Sequence, residues 1–497
     1  MKKVDIDLIP NTENPTPDYY CTWQTQLYAT SGGTPKMQRD IVGERQIFGK
    51  DKPYGWAYFY EKARADLLFV MDDSWDVPYE NEDKYYGSLI LDKAKFPEST
   101  ADGVSNTEAL KRLTDRIKSL GWKGLGGWVC AQEATAISEG KDACEYWIER
   151  LKDADAAGFS YWKVDWGKKE REVEFRRMLT ELGRKYAPSL IIEHAMTKEI
   201  IPFSDVYRTY DVPAIMSIPL TMEKVAAFSK VGVTEKGYMG LVNCEDEAYV
   251  AAAGGFPMGI MRHIYRGEFP DGQPDRSFPS VHRDIKSKTY EVIRAARWHR
   301  IAPAFGIDAE STYISDESIS DSWRFEDSNA EIEQWWFKQG MIADFMDGDI
   351  LTKTAPAAIS RGCALPTVAP DENGNIPYVI ASKNPNGVFS VATLGRTQDR
   401  SYFLPRCDVS IDTVDSDTIG IFGEYKNIIM NTSFEAIERV LIQDLAADSA
   451  YDITEDVSFC CGRLTLSGEL VRSICNEAQP VSDTSESGVV LKIVARN

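Results

Sequence analysis

A lysine and an aspartate stand two residues apart at the end of an apolar run, in the segment 158–167 with the sequence GFSYWKVDWG. Its aromatic bulk, with a glycine at each end, is typical of a buried strand. On a strand, Lys163 and Asp165 point to the same side because side chains alternate between the two faces. Two interpretations are open at this point, a structural ion pair and a catalytic carboxylate beside a cation.

Further carboxylates follow other apolar runs. Those at the ends of predicted strands are Asp72, Asp73, Asp165, Glu193, Asp211, Glu245 and Asp246, and Glu133 follows the third run. Two carboxyl groups can cleave a glycosidic bond if one is ionised and the other donates a proton to the leaving oxygen. Lys163 favours the ionised form of Asp165, which suits a nucleophile. Asp211 is the candidate acid: desolvation would raise its pKa, Arg208 would lower it, and the sequence leaves both open.

Tryptophans lie at or near the ends of several of these runs, namely Trp23, Trp75, Trp128 and Trp166. Core packing is the ordinary role for any one of them. Four at one rim of a barrel would instead form a wall on which a sugar ring stacks. His194, at the end of the fifth run, is as consistent with packing or ligand positioning as with catalysis.

Metal and cofactor chemistry have less support in the sequence. The four histidines include no pair spaced four residues apart, which argues against a zinc site. An all-oxygen Mg²⁺ or Ca²⁺ site from Asp72, Asp73 and Glu245 is the metal alternative. No Gly-x-Ser-x-Gly element is present for a serine nucleophile. We expect no metal and no other cofactor.

The candidate residues follow different predicted strands, so they can form one site only in a fold that brings the ends of those strands together. Between residues 19 and 301, short apolar runs alternate with helical patterns, which is typical of repeated βα units. The eight candidate strands are 19–24, 66–76, 124–130, 158–167, 190–194, 205–211, 237–247 and 254–261. They predict a (β/α)8 barrel over residues 1–305, a fold whose strand carboxyl ends carry the chemistry. A doubly wound sheet is the alternative, but no Gly-rich phosphate fingerprint follows an early strand.

Residues 306–497 have a different pattern of polar and apolar residues. Apart from helical patterns at 331–345 and 434–439, short segments of alternating polarity are separated by turn signals such as Asn-Gly. This pattern predicts an antiparallel β-sandwich domain, whose expected role is to pack against the barrel.

Composition narrows the class of partner. The chain has 77 acidic and 56 basic residues, a net charge of −21, which argues against nucleic acid and anionic membrane surfaces. We expect a small-molecule or oligosaccharide substrate, with a homo-oligomer left open. No signal peptide and no run of 18 apolar residues is evident, and nine cysteines lack paired metal-type spacing. These features predict a cytoplasmic protein with reduced cysteines.

Three motifs in order resemble the retaining α-galactosidase clan, glycoside hydrolase families 27 and 36. They are MDDSW at 71–75, YWKVD at 161–165 and YRTYD at 207–211. Family 27 has an Asp-Asp pair and a Trp after strand two, a Lys-containing nucleophile strand four and an Arg-containing strand six that carries the acid/base. The motif order covers residues 15–300, and a barrel followed by a β-sandwich is also typical of the clan.

The resemblance implies a role for each matched residue. Asp165 is implied as nucleophile and Asp211 as acid/base, while Asp72, Asp73, Lys163 and Arg208 are implied to bind sugar hydroxyls and Trp23 to line the pocket. Three departures concern sugar specificity: Arg208 precedes Asp211 by three residues rather than four, Trp166-Gly167 replaces a common cysteine, and Thr22-Trp23-Gln24 replaces Gly-Trp-Asn. Related pockets in the clan accept N-acetylgalactosamine, β-L-arabinopyranose or isomaltose units.

The leading hypothesis is a retaining, exo-acting, α-galactosidase-like glycoside hydrolase in which Asp165 and Asp211 act by double displacement. It predicts that the two carboxyl groups lie ~5–5.5 Å apart, and a separation beyond roughly 7 Å would contradict it. A non-catalytic carbohydrate-binding protein on the same barrel and a metal-dependent barrel enzyme are the alternatives.

Overall fold

The computed structural model describes residues 1–49, 55–79, 83–209, 216–231, 247–265, 267–273, 287–306, 309–326 and 347–496. Several predictions lie outside these residues. They concern the acid/base Asp211 and the helix at 331–345. Residues 237–246 of the predicted seventh strand, which include Glu245 and Asp246, also lie outside the described ranges.

Strand β1 (Lys2–Val4) is followed by the strands of a parallel sheet. These are β2 (Tyr19–Cys21), β3 (Leu68–Met71), β4 (Gly124–Val129), β5 (Tyr161–Val164), β6 (Ile191–His194), β7 (Val206–Tyr207) and β8 (Gly259–Ile260). The order across this seven-stranded sheet is β7-β6-β5-β4-β3-β2-β8, with every pair parallel. Sequential parallel neighbours, with β8 returning beside β2, are the strand order of a (β/α)8 barrel, as the alternation of runs predicts.

Helices connect these strands. They are α1 (Trp23–Ala29), α2 (Pro35–Asp40), α3 (Glu44–Phe48), α4 (Asn106–Ser119), α5 (Ala143–Ala156), α6 (Val173–Tyr186), α7 (Ser217–Phe228), α8 (Ala248–Gly254) and α9 (Thr289–Ile301). Helices α4 and α5 begin at side-chain caps, where Ser105 accepts from the Glu108 N–H and Asp142 from the Cys144 N–H. Short 3₁₀ segments cover Trp56–Tyr58, Arg64–Asp66, Asp83–Tyr85, Ala101–Gly103 and Lys198–Phe203.

The first βα connection differs from the prediction. The first strand ends at Cys21, and Trp23 begins helix α1 instead of continuing the strand. The segments predicted as helices at 36–45 and 56–65 contain the shorter α2 and α3 and two 3₁₀ turns, Trp56–Tyr58 and Arg64–Asp66. Extended backbone at Gly43 separates α2 from α3, and extended backbone at Phe59 ends the first 3₁₀ turn, so local periodicity overstated the helix length.

The inner face of the sheet follows the alternation of strand residues. An apolar cluster fills its lower part, formed by Tyr19, Cys21, Leu68, Val70, Tyr161 and Met261. A Cβ at Gly126 would lie 2.7 Å from Cβ of Tyr161, so glycine makes room for that ring. Lys163 follows Tyr161 by two residues and therefore faces the same side, above the cluster.

The C-terminal region is a two-sheet β-sandwich. Its strands are β9 (Thr312–Ile314), β10 (Ser318–Arg324), β11 (Ile350–Pro356), β12 (Ala358–Arg361), β13 (Thr367–Ala369), β14 (Tyr378–Lys383), β15 (Phe389–Leu394), β16 (Arg396–Gln398), β17 (Ser401–Phe403), β18 (Asp408–Val414), β19 (Thr418–Phe422), β20 (Asn427–Thr432), β21 (Ile437–Asp444), β22 (Ala450–Asp452), β23 (Ser458–Cys460), β24 (Arg463–Ser467) and β25 (Gly488–Ala495), with helix α10 (Gly468–Ala478). One sheet has nine strands, β1-β22-β21-β25-β19-β15-β14-β12-β9, and the other five, β13-β18-β20-β24-β23, while β10–β11 and β16–β17 form two separate two-stranded sheets.

Two details differ from the expected antiparallel sandwich. Most pairs are antiparallel, but β12–β14, β15–β19 and β18–β20 are parallel. The chain crosses to the other sheet between β15 and β19, which allows the two strands to run in the same direction. The predicted helix at 434–439 is absent, because β21 begins at Ile437.

The N-terminal strand β1 pairs with β22, so the chain start belongs to the sandwich sheet. Helix α9 joins the sandwich to the barrel: Arg294 donates to both oxygens of Asp444 at 2.8 and 2.9 Å, and the ring of Trp298 lies 5.7 Å from Phe422. The domain division at residue 305 stays a prediction. Within the described ranges, no helix has both the length and the apolar character to cross a membrane.

Candidate active site

Lys163 is held at the centre of the barrel by Asp72. Its Nζ donates to Oδ2 of Asp72 at 2.8 Å, and the thiol of Cys21 donates to the same oxygen at 2.8 Å. Both charged side chains are buried, with 2% of Lys163 exposed and 3% of Asp72. The backbone N–H of Asp73 donates to the other oxygen, Oδ1, at 2.8 Å. The carboxylate at the end of β3 is thus fixed against the lysine of β5.

Asp165 is contacted by two side chains, one on the adjacent strand β4 and one just after β7. Nη2 of Arg208 lies 2.8 Å from Oδ1, and Nε1 of Trp128 donates to Oδ2 at 3.0 Å. Burial alone would raise the pKa of this carboxyl. The charges of Arg208 and Lys163 and the donated hydrogen bonds outweigh burial, and the pKa of Asp165 is lowered. Asp165 is therefore ionised at neutral pH while 6% exposed.

Glu193 shares the same arginine. Nε of Arg208 lies 3.3 Å from Oε1 of Glu193, and the hydroxyl of Tyr161 donates to Oε2 at 2.7 Å. Burial raises the pKa of Glu193, against the opposing charges of Arg208 and Lys163. Two buried carboxyls with pKa values shifted in opposite directions therefore contact one guanidinium.

Asp73 faces a different cation. Nε of Arg39 in α2 donates to Oδ2 of Asp73 at 3.0 Å, and the hydroxyl of Ser74 donates to Oδ1 at 2.8 Å. Burial raises the pKa of Asp73 to about 6, although Arg39 opposes the shift. The guanidinium of Arg39 lies over the rings of Trp166 and Tyr86, 5.3 and 5.7 Å from their centroids. Helix α2 thus contributes a cation and the strand ends contribute the carboxylate.

The four tryptophans singled out in the sequence have different environments. Trp128 and Trp166 have ring centroids 5.3 Å apart, and Trp128 contacts Asp165 through its N–H. Trp23 is partly buried against the apolar cluster of the inner face. Trp75 lies on the outer face of β4: it is fully buried, its N–H donates to the Trp128 carbonyl at 2.8 Å, and its ring abuts Gly127. The structure does not bring Trp75 to the rim at which a stacking role was predicted.

His194 points away from the other predicted residues. It contacts helix α6, with Nδ1 3.2 Å from Nη1 of Arg176 and Nε2 2.8 Å from Oγ1 of Thr180. Burial and the Arg176 charge place the pKa of His194 well below its usual range. These contacts favour the packing role of His194 over substrate binding, because Glu193 occupies the inward position on β6 and neighbouring residues of a strand face opposite sides.

The structure thus brings together Asp72, Lys163, Asp165, Arg208, Asp73 and Trp128, with Trp23 nearby, and leaves out Trp75 and His194. Asp211 lies outside the described residues. Sequence reasoning noted Glu193 as a strand-end carboxylate but preferred its neighbour; the alternation along β6 could have distinguished them. Arg39 carried no sequence signal, because its partner Asp73 is 34 residues away.

The charges at this site are balanced by ion pairs. Asp72, Asp73 and Asp165 each have a cation within 3.0 Å. Within the part of the chain that the structure describes, no group of three His, Cys, Asp or Glu side chains is arranged to hold a metal ion. The arrangement offers an ionised carboxylate, protonatable carboxyls and several fixed donors, which suits polar recognition of a hydroxylated ligand.

No protein-family model matches the sequence, and no curated protein is similar to it. Solved structures that match the chain include an α-galactosidase of family 36 from Geobacillus stearothermophilus, with 12% identity over 69% of this chain and 55% of that chain and a TM-score of 0.35. An α-amylase from Anoxybacillus has 9% identity over 98% of this chain and 100% of that chain, with a TM-score of 0.41. A Bacteroides fragilis protein assigned as an α-galactosidase has 11% identity over 97% and 80%, with a TM-score of 0.38.

Proposed function

We propose that the protein is a retaining, exo-acting glycoside hydrolase, with the α-galactosidase type as the leading candidate. The observation that carries the proposal is the carboxylate of Asp165, which is ionised although buried at the carboxyl end of β5. A nucleophilic carboxylate must be ionised, and the charges of Arg208 and Lys163 favour that form of Asp165. Oδ2 of Asp165 accepts the Trp128 N–H and Oδ1 is ion-paired with Arg208, and a carboxylate oxygen has a second lone pair available for attack.

In the proposed first step, an oxygen of Asp165 attacks the anomeric carbon and the glycosidic bond breaks. Asp211 is proposed to donate its proton to the leaving oxygen. In the second step, Asp211 removes a proton from water, the water oxygen bonds to the anomeric carbon, and Asp165 is released as a carboxylate. The role of Asp211 rests on the sequence motif alone, and so does the predicted spacing of the two carboxyls.

The remaining side chains of the site are proposed to bind sugar hydroxyls. Asp72 and Lys163 form one polar pair and Arg208 with Glu193 another, so each can offer both a donor and an acceptor to a hydroxyl. Both pairs are fixed before a ligand arrives, which avoids much of the entropic cost of ordering them. Trp23, which is only partly buried, adds apolar surface against the sugar ring, whereas the fully buried Trp128 acts through its hydrogen bond to Asp165.

A panel of aryl glycosides tests the proposal. Wild-type protein and the Asp165→Asn variant are assayed on an α-galactoside, an α-N-acetylgalactosaminide, an α-glucoside and a β-L-arabinopyranoside. We expect turnover of one substrate, lost by roughly 10⁴-fold or more in the variant. The exposed Asp155→Asn change is the matched control and should keep full activity. Activity that survives in Asp165→Asn would contradict the proposal, and sugar binding without turnover would favour a carbohydrate-binding protein.

The cytoplasmic location, the oligosaccharide substrate and the homo-oligomer are further proposals that rest on the sequence. The eight cysteines in the described ranges are free thiols.

A further inference from the structure

Two exposed cysteines stand side by side in the sandwich, at the tip of a hairpin. Strand β23 ends at Cys460, which pairs with Arg463 of β24, so Cys461 and Gly462 form a two-residue turn. Both turn residues have positive φ, 53° for Cys461 and 73° for Gly462, as the tightest hairpin turns require. The hairpin lies at the edge of the five-stranded sheet, where β23 is the last strand.

The turn places both thiols together. Neighbouring side chains on a regular strand point to opposite faces, but the left-handed conformation of Cys461 breaks that alternation. The two sulfur atoms lie 3.4 Å apart, and both residues are exposed. A disulfide needs sulfurs ~2.05 Å apart and usually Cα atoms at least ~4.4 Å apart, whereas adjacent Cα atoms are ~3.8 Å apart. The pair is therefore better arranged to remain two thiols than to form a bridge.

We propose that Cys460 and Cys461 form a bidentate binding site for a soft divalent cation of the zinc group. With metal–sulfur bonds of ~2.3 Å, sulfurs 3.4 Å apart subtend about 95° at the metal. That angle is far from linear coordination, and the tetrahedral angle preferred with thiolates needs the sulfurs only about 0.4 Å farther apart, which a small side-chain rotation provides. On binding, each thiol releases its proton to solvent, two metal–sulfur bonds form, and no electron is transferred. Water completes the coordination, since the turn is exposed.

The site is independent of the proposed glycosidase activity, because its residues belong to the sandwich. Soft thiolate ligands select zinc-like ions over magnesium or calcium, so those hard ions should not compete. Two adjacent ligands also bind far more tightly than one, because the second bond forms within the same molecule.

Titration with cadmium chloride alone tests the proposal on fully reduced, full-length protein. We expect one equivalent to bind per chain, with a cadmium–thiolate charge-transfer absorption and with two thiols protected from a thiol-specific reagent. Cys460→Ser and Cys461→Ser should each weaken this binding by at least about 100-fold. Cys144→Ser is the matched control, because Cys144 is also exposed but its nearest sulfur partner is Met178, and it should bind as the wild type does.

Two results would overturn the proposal. One is the lack of a charge-transfer band in reduced wild-type protein. The other is unchanged binding in the Cys460→Ser, Cys461→Ser double variant, which would place the metal at other thiols. Circular dichroism verifies that each variant is folded, and the exposed turn gives no reason for unfolding.

Discussion

Nη2 of Arg208 lies 2.8 Å from Oδ1 of Asp165, and both side chains are buried at the carboxyl end of the barrel strands. This contact decides the protonation state of the carboxyl, because burial alone would raise its pKa and the arginine charge is the largest opposing influence. The proposed nucleophile therefore depends on one guanidinium, which also contacts Glu193.

Replacement of that guanidinium should change both pH dependence and stability. The Arg208→Gln variant should raise the pKa of Asp165. Since Asp165 must be ionised to attack, activity lost as pH falls should be lost from a higher pH than in the wild type. At neutral pH, breaking this buried pair should lower the free energy of unfolding by roughly 3–5 kcal/mol.

The measurements are kcat/KM against pH and urea denaturation. Arg208→Lys keeps a cation near the carboxylate and is the control for charge. If kcat/KM of Arg208→Gln falls at the same acidic pH as in the wild type, the proposal that Arg208 lowers the pKa of Asp165 is contradicted.

The N–H of Trp128 should also stabilise the ionised form of Asp165, but less than the charge of Arg208 does. Trp128→Phe removes the N–H that donates to Asp165 at 3.0 Å while retaining most of the ring. A hydrogen bond to a charged group contributes about 1.5–3 kcal/mol, so kcat/KM should fall roughly 10- to 100-fold. Trp147→Phe is the matched control: Trp147 is equally buried, but its N–H donates to Glu133. Equal losses in the two variants would indicate a general packing effect instead.

Substitutions of the adjacent β6 residues Glu193 and His194 should affect activity and stability differently. Glu193→Gln alters an inward carboxyl beside Arg208 and should strongly reduce kcat/KM. His194→Gln alters an outward side chain bound to Arg176 and Thr180, so it should lower the free energy of unfolding by about 1–3 kcal/mol with little change in kcat/KM. Kinetics and urea denaturation of both variants check this. Loss of activity in a stable His194→Gln protein would contradict the assignment of inward and outward faces.

Much of this arrangement could be predicted from the sequence, whereas the position of Trp75 and the contribution of Arg39 could not. Strand-end carboxylates and the Lys163–Asp165 spacing were predictable, because strand periodicity and the barrel rule act locally. Trp75 was misplaced because an apolar side chain at a strand end can face either the mouth or the surrounding helices. The pairing of Arg39 with Asp73 depends on a loop and a short helix folding back, which no local pattern encodes.

Asp76 provides a test of stability away from the proposed chemistry. Its Oδ2 accepts the Leu89 N–H at 2.9 Å, it is 1% exposed, and burial raises its pKa to about 7. Between the unfolded value near 4 and this value, the folded state retains a proton that the unfolded chain releases. The free energy of unfolding should therefore fall as pH rises through this range, by up to about 4 kcal/mol.

The Asp76→Asn variant does not titrate and keeps the acceptor for Leu89. Its stability relative to the wild type should increase between pH 5 and pH 8, as measured by urea denaturation at both values. Asp155→Asn, on an exposed helix surface, should give no such trend. A constant difference between Asp76→Asn and the wild type would contradict the raised pKa.

The most direct test of the central claim is to trap the covalent intermediate. Protein is treated with a fluorinated glycosyl fluoride of the sugar that the panel selects, digested, and mapped by mass spectrometry. The proposed mechanism predicts a single glycosyl adduct on the peptide that contains Asp165, with retention of anomeric configuration in the product. An adduct on another carboxylate, or turnover with inversion and no adduct, would contradict it.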